Sequence, residues 1–246
     1  KETVIPRHEE ICPELRLRIL LALLHWAGST FNQSQMQNLR DMLKVVAWIP
    51  VADRFVMPGA AFDPKENLPQ LHVVQRSLPE LSEGIGQQFA TDEETVVWEA
   101  LRSCGLKKQI TWEDAVDEAQ YIADSGDPRL SKVLFKHLEQ NHQKMEGDKG
   151  ECMEALEKLK WVLAHPPQSA GRELPETSRS AALGSLSDLF SASEFELVWA
   201  VESTLHTDLV KSGAPTLLKA RRSVKREPAV LVSQLEACAK AAKSAS

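Results

Sequence analysis

At 246 residues, with 43% apolar and 26% charged side chains, the chain is long enough to bury a substantial core without disulfide or metal staples. A net charge of −6, from 29 basic and 35 acidic residues, argues against nucleic acid as a partner, because that binding needs clustered positive charge. The longest apolar run, Ile19–Leu24, is too short to span a bilayer, and Cys12, Cys104, Cys152 and Cys238 form no Cys-x-x-Cys pair, which suits a reducing compartment better than a disulfide framework.

Lys1 is no natural start and Lys1–Ile5 has no signal-peptide character, so the chain reads as a fragment of something longer. Pro13 suits a first helical turn, and Leu15, Ile19, Leu20, Leu23 and Leu24 keep helical spacing up to Gly28. A second helix is expected over Gln33–Lys44, with Met36, Leu39, Leu43 and Arg40 distributed over its two faces, making a helical hairpin with the first. Val45–Val51 and Arg54–Met57 are rich in β-branched and aromatic residues and predict a two-stranded ribbon, with Pro50 confining its strand to an edge. Residues 58–90, carrying four prolines, predict loop with one short helix.

Thr91 and Glu94 have the spacing of a capping box for a helix that Gly105 stops. Thr111-Trp112-Glu113-Asp114 opens the next helix with similar logic, up to Ser125-Gly126, and Asp127-Pro128 supply the N-cap and first residue of a helix to about Gln143. A further helix is expected from Glu151 to Leu163. Residues 164–187 are linker-like, although Leu183–Phe190 looks ordered. Ser191/Ser193 with Glu194/Glu196 predict a helix through Val201 to Leu209, and Pro228 opens a last helix with Val230, Leu231, Leu235 and Ala239 on its apolar face. The fold expected is mostly α: helical hairpins with a small β-ribbon insert, in two weakly repeated halves. Residues 1–163 form the helical unit with ribbon and Phe-Asp-Pro loop, and residues 164–246 form a linker followed by a partial second unit.

Signatures of chemistry are missing. No phosphate-binding Gly-x-x-x-x-Gly-Lys motif occurs, and Gly84 and Gly86 lack the strand and third glycine of a dinucleotide site. His137 and His142 are five apart, about 500° around a helix, and so share no face. Asp53 reads as a turn former, and Asp63 before Pro64 as an Asx-type turn, in preference to a carboxylate pair. No catalytic, cofactor-binding or metal-ligating residue is therefore assigned. Lys219, Arg221, Arg222, Lys225 and Arg226 form a local basic cluster, a solvated face or a patch for an acidic partner. The six tryptophans read as core anchors whose indole N–H finds a backbone acceptor.

Leu43–Ile49 resembles Leu156–Val162: each carries a helix into Trp plus a β-branched residue, then meets proline. Asp188-Leu189-Phe190 is a partial echo of Phe62-Asp63-Pro64. The period of roughly 100 residues suggests duplication rather than a solenoid.

These residues carry a family resemblance. Trp48-Ile49-Pro50, Phe62-Asp63-Pro64, Thr91–Glu94, Gly105-Leu106 and Thr111-Trp112-Glu113 follow one another in an order similar to that of the sacsin family of giant chaperone-like proteins. The similarity covers residues 15–125 well and the remainder loosely. It implies a cytoplasmic protein-quality-control scaffold whose partners are client proteins and other modules of the same long chain. The family's active parts are not matched: there is no Asp-x-Gly-x-Gly nucleotide signature and no His-Pro-Asp, for which His165-Pro166-Pro167 does not qualify. The expectation is thus a non-catalytic scaffold segment. The alternatives are a peptide- or client-binding module using the ribbon edge and the 58–90 loop, and an enzyme of unknown type.

Overall fold

The computed structural model describes residues 22, 27, 30–52, 54–79, 91–168, 181–211, 213 and 215–245. Most of the helix expected before Gly28, the turn residue Asp53, the Gly84/Gly86 loop and residues 169–180 of the linker lie outside this set. Among the described residues there are nine α-helices and two small antiparallel sheets, of two and three strands. The expected class, mostly α with a small β insert, is the one observed. Packing divides the chain into two compact units, Lys1–Leu68 with Val74–Gln109 and Pro69–Val73 with Ile110–Ser246.

In the first unit, α1 (Gln33–Lys44) starts with a capping box: Asn32 accepts from the Gln35 N–H, and Gln35 accepts from the Asn32 N–H, both at 3.0 Å. The helix ends where the Trp48 indole donates to the Leu43 carbonyl at 2.9 Å, occupying one of the acceptors that a helix end leaves open. The chain then turns extended as β1 (Ile49–Val51), paired antiparallel to β2 (Arg54–Val56) in the register Ile49↔Val56 and Val51↔Arg54. The ribbon is shorter than expected, because Val45–Ala47 leave the helix without reaching the ladder. Ala52 takes the left-handed backbone (φ +49°) that so tight a turn requires.

A single 3₁₀ turn (Pro58–Ala60) leads to Phe62; α2 (His72–Gln75) is one turn long, and α3 runs Thr91–Ser103. The described part of this helix starts at Thr91, and the side chains of Thr91 and Glu94, on which the expected capping box falls, lie outside those described. Gly105, at φ +104°, follows the helix end as expected. The core of this unit gathers Trp48, Ile49, Val51 and Ala61 against Val97, Trp98, Leu101, Cys104 and Leu106. The Trp-Ile-Pro stretch is therefore a core element, not a surface loop.

The second unit opens with three helices, α4 (Trp112–Ser125), α5 (Pro128–Asn141) and α6 (Lys149–Lys158), with α4 touching both others. Thr111 and Asp114 form the expected capping box, and Asp127 with Pro128 starts α5 as expected. Gly147 sits at φ +101°, a backbone that side-chain-bearing residues rarely adopt, and a Cβ there would also displace the Glu113 carboxylate. The Glu113 carboxylate accepts from the Asp148 N–H at 3.3 Å, and the Trp112 ring is buried with Lys149 Nζ 5.8 Å from its centroid.

Two expected helices are corrected. The helix read as Glu151–Leu163 stops at Lys158, because the Trp161 indole closes its end on the Leu156 carbonyl at 2.8 Å and Val162 begins a strand. That strand, β3 (Val162–His165), is wholly buried and lies at the centre of a sheet in the order β4–β3–β5, with β4 Ala182–Gly184 and β5 Thr204–Leu205. The helix read through Val201 to Leu209 breaks into a 3₁₀ turn (Ala192–Glu194), α7 (Phe195–Val198), β5 and α8 (Thr207–Val210). Pairing with β3 outweighs helical periodicity there. Ser191 accepts from Ser193 N–H, not from the third N–H of a capping box. A boundary at 163/164 would cut β3, whereas packing places the division at Gln109/Ile110.

The last helix, α9 (Ala229–Ala245), turns a different face inward from the one expected. Val230 and Gln234 are buried, while Leu235 is 70% exposed. Gln234 displaces leucine from the interior because its side-chain oxygen accepts from the Ala200 N–H at 2.9 Å.

Trp161→Phe keeps most of the buried ring but strands the Leu156 carbonyl, and is expected to cost about 1–3 kcal/mol. Trp161→Ala, which also empties the site, is expected to cost about 3–5 kcal/mol. Urea denaturation followed by circular dichroism measures both, and equal costs would contradict a separate role for the indole N–H.

Candidate functional site: a tryptophan–phenylalanine module built twice

The two segments that echo each other in sequence carry the same long-range bonds. After Trp48 and its strand comes Phe62, and after Trp161 and its strand comes Phe190. Both phenylalanines are buried. The Phe62 N–H donates to the Ser77 carbonyl at 2.9 Å, and the Phe190 N–H donates to the Ser203 carbonyl at 3.0 Å. The residue before each phenylalanine then accepts from a cationic residue far along the chain: Ala61 O from Lys107 N–H at 2.9 Å, Leu189 O from Arg222 N–H at 3.2 Å. Both contacts are short parallel bridges, Phe62↔Lys107 and Phe190↔Arg222.

The cation in each case also lies over the ring. Lys107 Nζ is 5.3 Å from the Phe62 centroid, and the Arg222 guanidinium is 4.4 Å from that of Phe190. The ring's negative face attracts the charge, so one residue supplies both a ladder bond and a cation–π contact. The residue after each phenylalanine makes a two-residue turn: Asp63 Oδ1 accepts from Lys65 N–H at 2.9 Å, and Ser191 Oγ from Ser193 N–H at 3.4 Å. The Asx turn expected at Asp63-Pro64 is present.

The modules differ in how charge is held. Asp63 is fully buried and its second oxygen accepts from Arg102 Nε at 2.5 Å. A buried carboxylate needs such a partner, since removing it from water is otherwise prohibitive. In the second module Ser191 is neutral and the cation carries the acids instead: Arg222 is bidentate to Glu202 at 2.6 and 3.0 Å and reaches Glu227 at 2.7 Å. This arrangement raises the Arg222 pKa, first through Glu227 and then through Glu202.

The basic cluster is accordingly divided. Arg222 is committed to this network, Arg221 pairs with Glu157, and Arg226 donates to the Arg221 carbonyl at 3.3 Å. Lys219, Lys225 and Arg226 are exposed.

Two further acids act as backbone clamps that no sequence signal announced. Glu118, fully buried on α4, accepts from Val73 N–H at 2.8 Å and His72 N–H at 3.2 Å, while His72 stacks on Tyr121 at 3.7 Å. Glu139 accepts from Thr216 N–H and Oγ, Leu217 N–H and Leu218 N–H, at 2.6–3.0 Å for the closest oxygen to each donor. It edges a cavity of about 390 Å³ that Lys132, Lys136, Asp208 and Pro215 also line. Burial pushes the Glu139 carboxyl up, but the Leu218 and Thr216 donors more than reverse that, leaving it below its ordinary 4.5. Asp208 is already held by Lys132 and Lys211, each at 2.6 Å. The cavity's acids are thus spent on structure.

Among the described residues no group of three or more His, Cys, Asp or Glu is placed to hold a metal ion, and no helix is long and apolar enough to cross a membrane. No family model matches the chain, and no curated protein or solved structure matches it either.

Asp63→Ala removes the acceptor for Lys65 N–H and for the partly exposed Arg102, and is expected to cost about 1–3 kcal/mol, measured by urea denaturation. The pH dependence has a definite sign. Because Glu139 titrates lower when folded, its contribution is complete above pH 4.5 and fades as pH falls below that value. Glu139→Gln is expected to lower the denaturation midpoint at neutral pH and to shrink the loss seen between about pH 5 and about pH 3.

Proposed function

We propose that the chain is a non-catalytic scaffold and interaction segment of a sacsin-like molecular chaperone in cytoplasmic protein quality control. Its partners on this reading are client proteins and other modules of the same long chain. The observation that carries the proposal is the second occurrence of the Trp–Phe–cation module. A self-contained packing unit repeated along a chain is how extended proteins gain length, each copy building its own core. Supporting it, the polar groups most suited to chemistry are used to hold backbone: Asp63 on Lys65 and Arg102, Glu118 on His72 and Val73, Glu139 on residues 216–218. Trp48, Trp98, Trp112 and Trp161 are buried, which favours a scaffold over an aromatic-lined groove.

A client-binding reading draws on one patch. Met42, Val45, Val46 and Met57 are exposed around the end of α1 and the β1–β2 ribbon, the kind of surface that an extended chain covers by adding to a sheet edge. On that reading Met57→Asp abolishes capture of an unfolded polypeptide. On the scaffold reading it changes nothing.

Calorimetric titration of the chain with magnesium-ATP tests the scaffold proposal. No binding heat is expected. Micromolar affinity would contradict it.

A further inference from the structure

The two modules differ in what covers the helix that follows them, and the difference identifies a docking surface. After Lys107 comes α4; after Arg222 comes α9. Each helix turns one polar side chain inward to clamp the backbone just ahead of the serine that pairs with its phenylalanine. Glu118 of α4 accepts from Val73, four residues before Ser77, and Gln234 of α9 accepts from Ala200, three residues before Ser203. Setting Glu118 and Gln234 in register puts Leu231 at the position of Ala115, Leu235 at that of Ala119, and Cys238 at that of Ile122.

On α4 these three positions are fully buried, and both α5 and α6 pack against this helix. On α9 the same stripe is open. Leu235 is 70% exposed and the adjoining Val232 58%, and Leu231 and Cys238 are half-buried. Large aliphatic side chains left in water in a helical row mark an interaction surface, whereas single scattered ones do not. The buried side chains of α5 and α6 are apolar, Leu134, Phe135, Leu138 and Leu156, with Phe135 also beside the Trp161 ring.

We propose that the Leu231–Leu235–Cys238 face of α9, with Val232 at its edge, docks a pair of consecutive helices of the α5–α6 kind. Such a pair brings apolar Leu and Phe side chains to cover the Leu231–Leu235 row. The inference rests on the internal repeat and not on the chaperone reading, so ATP affinity would leave it standing.

The test appends a second copy of residues 126–158 to the full chain after Ser246 and measures alkylation of Cys238 under native conditions, by mass spectrometry of the peptide that contains it. Docking is expected to slow this reaction about tenfold or more against the unextended chain. Leu235→Asp in the extended chain is expected to restore the original rate. An equal or faster rate on extension overturns the proposal, as does slowing that survives Leu235→Asp. A second measurement needs no extension. Leu235→Asp in the unextended chain is expected to leave the Tm unchanged, and a clear fall would show that Leu235 already packs within the chain.

Discussion

A tryptophan indole donating to the carbonyl five residues before it decides where helix gives way to strand in this protein, and it does so twice. A helix end exposes carbonyls that must find donors. Trp48 and Trp161 supply one from within the same segment, and the ring that carries the donor is itself buried. Closing the end this way forces the next residues out of helical register. Ile49 and Val162, both β-branched, then enter a ladder. The strand, the turn and the phenylalanine beyond it are positioned by that exit.

The second constraint is the cation that returns from far along the chain. Lys107 and Arg222 each bond the carbonyl before a buried phenylalanine and lie over its ring. The first module places its acid on the phenylalanine side, at Asp63, and finds Arg102 for it. The second places acids around the cation, at Glu202 and Glu227. The same backbone path tolerates either charge arrangement because only the backbone bonds and the ring contact are common to both. This explains why the motif letters of the second copy are so degraded.

Local signals in the sequence were legible. The Asp63 turn, the Thr111 and Asp127 caps, Gly105 after α3, and the Trp48/Trp161 echo all follow from residues within a few positions of each other. What depends on distant partners was not. Nothing near Lys107 or Arg222 announces a parallel bridge to a residue more than 30 positions away. Nothing in the residues around Glu118 and Glu139 marks them as clamps, although one holds the start of α2 and the other the backbone of residues 216–218. Thr204-Leu205 sat inside an apparent helix because pairing with β3, a tertiary contact, overrides periodicity. On α9 the apolar residues looked like the buried face, and a glutamine with a backbone partner takes that place instead.

The claim that the module is built twice is tested most directly by hydrogen exchange at the two indole nitrogens, read by NMR in the intact chain. Trp48 and Trp161 are both expected to exchange about a thousandfold or more slower than a free indole, since each N–H is buried and bonded to a helix-end carbonyl. Exchange of either at the free rate would contradict the equivalence of the two modules.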